Sequence, residues 1–381
     1  MFADQGQAQS SVEVLDQRVD YSFDEFLHFV VHFESVEVMQ EGFVFYQFPG
    51  GQRSWVFEGD LSGNNTLEVQ IPLVAENKPK PFTQIEYWFR LASDHGDISE
   101  SQHYTFFYDD NRYVWQTMQS LPFLLYWHNG NAAFAESVLA AARQGVTRAR
   151  LWLAMPAPAA VTLRVYDSAA DVQLIAQEAG IAWQAGHTDP AAGIILLSLT
   201  PDQSLEVQRQ VPHEIAHLVL YQSLGADAYQ RLPVWLNEGI ASNVEVYSDP
   251  VQMDYLELAN SGNTLIPFFS LCQAFPQDSA SARLAYAQSA SFVRYIHEQY
   301  KPAGFALFVN AFLAAEDCVS APFEVFGKDL IALDAEWRAA TFAQEGPADW
   351  LGAVPWLPIF SSAAVALGLF LLLRFMASRR N

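Results

Sequence analysis

The chain has 381 residues, 51% of them apolar and 14% aromatic, which is long enough for more than one packed core and too apolar for a disordered segment. With 43 acidic against 20 basic side chains, the formal charge is −23, which argues against nucleic acid as a partner because the net negative charge would repel its phosphates. The two cysteines, Cys272 and Cys318, form no CxxC and so no thiolate zinc or redox motif of that kind.

The first stretch, MFADQGQAQS, carries neither a basic nor an apolar run. Gly6, Gln7 and Ala8 read as the small-x-small end of a signal peptide whose apolar part is missing, so residues 1–11 are expected to form a tail. From residue 12 to 112 short alternating runs follow: Leu27, Phe29, Val31, Phe33; then Leu67, Val69, Ile71; then Ile85, Tyr87, Phe89, Leu91. Period-two alternation puts the apolar side chains of a strand on one face. Gly50–Gly51 and Gly63, Asn64, Asn65 mark turns, and the pattern predicts a β-sandwich whose aromatics pack its core.

After residue 112 strands and helices alternate. Strands are predicted at Phe123–Trp127, Val161–Tyr166 and 194–199, with an alanine-rich helix over 132–148. The next helix carries His213, Glu214, Ile215, Ala216 and His217, which spell HEIAH. Four helical positions turn the chain by about 400° and raise it roughly 6 Å, so the two imidazoles project from one face, a turn apart, and can grip one metal ion. Glu214, about 100° further round, is placed to reach a water rather than the metal, as a general base does. A catalytic zinc takes three protein ligands, and Glu238, in Trp235-Leu236-Asn237-Glu238-Gly239-Ile240-Ala241, is the third candidate. Ile215, Leu218, Val219 and Leu220 would bury the helix, and Gly225 would stop it. Pro212 is either the first residue of this helix or a kink in a longer one starting near Pro201 with Thr200 as cap.

Beyond Glu238 the apolar period is helical over 284–300 and 305–314, a stretch that includes Tyr286 and His297. Cys272 and Cys318 are either a disulfide or two buried thiols. Residues 351–373 carry no charge, about 35 Å as a helix against a hydrocarbon core of roughly 30 Å. Arg374, Arg379 and Arg380 follow, which places the tail 376–381 in the cytoplasm and the body outside it. Tail anchoring with the body in the cytoplasm is the second reading.

HEIAH followed by WLNEGIA resembles the gluzincin metallopeptidases, in which the Glu of a WLNEG-type segment completes the zinc site. The resemblance assigns His213, His217 and Glu238 to Zn2+ and Glu214 to catalysis, with Asn237 supporting its neighbour. Twenty residues separate His217 from Glu238, one or two more than is commonest in gluzincins, which the loop between 224 and 232 would absorb. Metzincins need a Gly and a third His where Leu220 and Ser223 stand. More of the chain is similar to bacterial surface proteins with a peptidase-MA-like domain, through Tyr108-Asp109-Asp110-Asn111-Arg112 and Tyr286-Ala287-Gln288-Ser289.

The resemblance implies a peptide or protein substrate, bound along a strand edge for which 182–188 is a counterpart. It also implies an oxyanion-stabilising donor, Tyr286 or else His297, although an aromatic facing a helical core explains Tyr286 equally well. The expected architecture is a multidomain α+β protein. It comprises a β-sandwich (12–112), a gluzincin-like α/β plus helical catalytic domain (113–348), a single transmembrane helix (351–375) and the tail. The expected function is a membrane-anchored zinc peptidase with its catalytic domain outside the cytoplasm. The alternatives are an inactive surface adhesion protein on the same scaffold and a zinc hydrolase of other bonds.

Overall fold

A computed structural model describes residues 12–342 except 49, 52, 64, 154, 180–187, 249 and 316. Contacts divide the chain into two compact units. The first runs to Leu232 and takes in Ile240–Asp249, and the second holds Pro233–Gly239 and the chain from Pro250 onward.

Among the described residues the first unit begins with nine strands: β1 (Val12–Ser22), β2 (Phe26–Ser35), β3 (Met39–Gln47), β4 (Ser54–Glu58), β5 (Asp60–Ser62), β6 (Thr66–Pro72), β7 (Thr83–Ser93), β8 (Ile98–Glu100) and β9 (Tyr104–Tyr108). They make two antiparallel sheets, β1-β2-β6-β5 and β4-β3-β7-β8, with β9 also on β7. Register follows the alternation read in the sequence. Leu27, Phe29 and Val31 stand opposite Ile71, Val69 and Leu67, and Val44 and Tyr46 opposite Phe89 and Tyr87. A slip of one residue would turn each of these outward, so their burial fixes the pairing. All ten side chains lie in one hydrophobic core shared by the two sheets.

That core continues past residue 112 into Tyr166, Val172, Ile175 and Leu196. They belong to a third sheet and its helix: β10 (Gln116–Ser120), β11 (Phe123–Trp127), α1 (Ala132–Leu153), β12 (Val161–Tyr166), α2 (Ala169–Ala179), β13 (Thr188–Asp189) and β14 (Ile194–Ser198). The sheet order is β10-β11-β12-β14-β13, parallel from β11 to β14 and antiparallel at both ends. Its faces pack differently. Leu163, Val165, Ile195 and Leu197 meet α1 and the helix that follows β14, while Tyr166 and Leu196 meet the sandwich core. Both faces are therefore buried, as parallel strands require.

The YDDNR segment has a structural role at this junction. Asp110, fully buried, accepts hydrogen bonds from Arg112 Nε (2.9 Å) and Nη2 (2.8 Å) and from the Tyr166 hydroxyl (3.1 Å). Burial, reinforced by Asp110, pushes the Tyr166 pKa up, so its hydroxyl remains a donor. Arg164, also buried, pairs with Asp109 at 2.7 Å and lies 4.0 Å over the ring of Phe82. Buried charges persist when paired in this way.

The unit ends with α3 (Ser204–Leu224), α4 (Ala226–Tyr229) and the last turns of α5 (Val234–Val244). Helix α3 takes the longer of the two expected forms, with Pro212 inside it and Gly225 at its end. Its start differs from the expectation. The helix begins at Ser204 after Gln203, and Thr200 does not cap it, since its hydroxyl donates to Asp202 Oδ1 at 2.5 Å.

The second unit is helical: α6 (Gln252–Ser261), a 3-10 turn (Phe268–Leu271), α7 (Ser279–Ala314), α8 (Phe323–Phe326) and α9 (Leu330–Thr341). Trp235, at the start of α5, is fully buried against Phe268, Phe292 and Phe312, with ring centroids 5.3 to 5.5 Å away. Gly239 lets α5 lie against α7, because a Cβ there would stand 2.6 Å from the Ser289 carbonyl oxygen. Helix α7 covers both predicted helical runs and breaks between them at Lys301, before Pro302. Cys272 and Cys318 form a disulfide, 46 residues apart in sequence. By loop-closure entropy alone such a link contributes about 4 kcal/mol.

Among the described residues no helix is long and apolar enough to cross a membrane. The stretch 351–373, expected to do so, lies outside the described residues, as does residues 1–11.

Candidate metal centre

The HEIAH helix is held against α1 by a glycine. A Cβ on Gly145 would stand 2.8 Å from Pro212 Cα and 3.2 Å from Ile215 Cβ, so only glycine allows the two helices this approach. Pro212 has no N–H, which deprives the Gln208 carbonyl of its helical donor. Two backbone N–H groups from beyond α5 replace it, Val246 at 3.0 Å and Tyr247 at 3.4 Å. The end of α5 is also held by Arg148 of α1, whose Nε and Nη2 donate to the carbonyls of Val244 (2.7 Å) and Asn243 (3.0 Å). A cation at a helix C-terminus is favoured by the helix dipole and satisfies carbonyls that lack helical partners.

These contacts set Glu245 beside His213, and the His213 Nδ1–H donates to its carboxylate at 2.9 Å. An imidazole held this way offers its Nε2 to a metal, and the carboxylate fixes the tautomer. The second ring, His217, is fully buried, with its Nδ1 3.4 Å from the Tyr229 hydroxyl. The two rings meet edge to face, centroids 5.0 Å apart.

Glu238 sits on α5. Among the described residues, His213, His217 and Glu238 form the one group of three whose ligand atoms lie together, all within 4.8 Å of one another. His217 and Glu238 are buried, and the His213 side chain is 12% exposed. Three carboxylates, Glu214, Glu238 and Glu245, are each at most 7% exposed. Burying that much negative charge is costly without a compensating positive one, which a divalent cation held by two imidazoles and a carboxylate supplies. The donor set and the hydrogen-bonded first histidine fit zinc.

Glu214 lies on the same helix, and its Oε2 accepts from the Thr188 hydroxyl at 2.5 Å. Thr188 begins β13, the last strand of its sheet among the described residues. It is also the only described residue of the 182–188 stretch expected to form the substrate edge. Asn237 lies in the first turn of α5, its N–H bonded to the Pro233 carbonyl at 3.0 Å.

Tyr286 and His297 both lie on α7, in the second unit. Tyr286 is 37% exposed and meets Phe275 edge-on at 4.9 Å. His297 packs on Phe305 at 5.2 Å, and burial lowers its pKa, which favours the neutral ring. The sequence reading missed Glu245 and Tyr229, and it placed Thr188 on the substrate edge without its bond to Glu214. Glu245 had a signal: seven residues past Glu238 is two helical turns, the same face.

A family model described as the Peptidase MA superfamily matches residues 141–343, just over half of the chain. No curated protein sequence matches. Among solved structures the chain is similar to a mutant M1 zinc metallopeptidase from Deinococcus radiodurans bound to a Tyr-Ser-Ala substrate. Identity is 11%, the match covers 86% of this chain and 94% of that one, and the TM-score is 0.36. A two-domain M1 zinc metallopeptidase mutant bound to L-tryptophan matches at 11% identity, over 88% and 96% of the two chains, with a TM-score of 0.33. A purple acid phosphatase from yellow lupin (Lupinus luteus) seeds matches at 7% identity, over 49% of this chain and 34% of its own, with a TM-score of 0.22.

Proposed function

Because the chain belongs to the peptidase MA superfamily, we propose that it is a zinc-dependent peptidase of the HExxH…E type, with His213, His217 and Glu238 as ligands and Glu214 as general base. The observation that carries this reading is the convergence of those three ligand atoms within 4.8 Å, on helices whose neighbours hold the first histidine in the tautomer a metal needs. Zinc bound there supplies Lewis-acid polarisation of the attacking water and of the scissile carbonyl. The chain's own residues do the rest. Glu214 takes the proton from the attacking water and passes it to the leaving amine, as a carboxylate within reach of both can. Glu245 holds the first imidazole in place, and the edge of β13 offers backbone groups to an extended peptide. Tyr286 is the proposed oxyanion donor, with His297 as the other candidate.

We further propose that the protein is membrane-anchored through residues 351–373, with its body outside the cytoplasm. The disulfide between Cys272 and Cys318 supports this, since disulfides persist in oxidising compartments. Protease protection of tagged termini in sealed vesicles tests it, and an N-terminal tag on the cytoplasmic side would overturn it.

The test of the catalytic reading is Glu214→Gln in the full-length protein, with zinc content by atomic absorption and activity by digestion of a peptide library. The variant is expected to keep one zinc per chain and lose cleavage. Full activity in the variant refutes the general base. Zinc without cleavage in the wild type instead favours the adhesion scaffold or a hydrolase of other bonds.

A further inference from the structure

We propose that Thr188 is the positioning residue for the general base: its hydroxyl holds the Glu214 carboxylate, and it does so from the strand whose edge takes the substrate. This rests on the reading of Glu214 given above. The terminal torsion of a glutamate is broad and roughly two-fold, so a carboxylate on a helix does not choose its own orientation. Thr188 Oγ1 donates to Oε2 at 2.5 Å, the length of a strong bond to an ionised acceptor. With Oε2 held, the turn of the whole carboxylate is set, which is what aiming the base requires.

Both partners are shielded from solvent, Thr188 4% exposed and Glu214 7%, so water does not compete for the bond. The donor itself is stiff. A β-branched side chain has few χ1 choices, and Thr188 is anchored by antiparallel pairing with Ile195. The next residue, Asp189, pairs with Ile194 and accepts from the N–H groups of Ala191 (3.1 Å) and Ala192 (3.0 Å), closing the turn into β14. A peptide added to the outer edge of β13 would therefore lie beside Thr188, which holds the base, and Asp189, which fixes the turn. Substrate alignment and base alignment share one rigid element, and the hydroxyl connects them.

The test uses Thr188→Val and Thr188→Ser in the full-length, zinc-loaded protein, beside Glu214→Gln. Valine keeps the shape and the strand propensity and removes only the donor, whereas serine restores a hydroxyl. Initial rates are read on a quenched fluorescent peptide chosen from the library digest, with zinc content and melting temperature measured alongside. Thr188→Val is expected to lower kcat by about tenfold to a hundredfold, the range for a reacting group displaced by an ångström or less, with KM changed less than about twofold. Zinc content and melting behaviour are expected to stay those of the wild type, and Thr188→Ser to recover most of the rate. Wild-type kcat in Thr188→Val overturns the proposal, as does loss of zinc in that variant or a serine variant as slow as the valine one. If Glu214→Gln is inactive while Thr188→Val is not, only this inference fails. If Glu214→Gln is active, the general-base reading fails first.

Discussion

Helices α3 and α7 each carry a proline in their interior, and only one of them survives as a single helix. In α3, Pro212 leaves the Gln208 carbonyl without its usual donor, and Val246 and Tyr247 supply two N–H groups in its place. In α7, Lys301 moves to φ 61° and ψ 169°, and the helix restarts at Pro302. A proline breaks a helix by about 3 kcal/mol of lost hydrogen bond and steric clash, and the cost is smaller where another segment satisfies the abandoned carbonyl. Helix α3 is thus continuous through its metal-binding face because the chain after α5 repairs it. The same repair delivers Glu245 to His213.

The largest effect is expected from Glu245→Ala, which leaves the repair in place and removes what it delivers. Zinc affinity should fall by about tenfold to a hundredfold in a competition titration with a chelator. An unchanged affinity would show that the His213 contact does not orient the ligand. Next comes Gly145→Val, which forces α1 away from Pro212. Unfolding in urea is expected to show a loss of about 1 to 2 kcal/mol, the cost of overpacking a close helix contact. A neutral result would mean that the helices part without strain.

The smallest effects are the most direct test of the comparison. Pro212→Ala should gain well under the ~3 kcal/mol that an interior proline ordinarily costs, because the Gln208 carbonyl is already bonded. Pro302→Ala should change stability by less than about 1 kcal/mol, since proline at the first position of a helix is tolerated. A full-sized gain in the first, measured by denaturant midpoint, would break the contrast between the two helices.

Much of this was legible in the sequence where a period or a backbone rule acts locally. Alternation at Leu27, Phe29 and Val31 gave the strand and its buried face, and the HEIAH spacing put two imidazoles together on one turn. The gap between the two helical runs around residues 301–304 corresponds to the break at Lys301. Pro212 had two readings because the choice depends on Val246, distant in sequence and brought near only by the fold. The bond from Thr188 to Glu214 was illegible for the same reason, although the stretch 182–188 was expected to be a strand edge. Nothing about a threonine beside an aspartate announces that a two-residue strand will set its hydroxyl against the base. The pairing of Cys272 with Cys318, one of two readings, likewise needed their Cα atoms at 6.2 Å to be seen.

The disulfide also makes a covalent ring of everything between Cys272 and Cys318, the broken helix α7 included. A proteolytic nick anywhere in that ring would leave both fragments attached. They would migrate as one band on a gel until a reductant parted them, so digestion of this region is visible only after reduction.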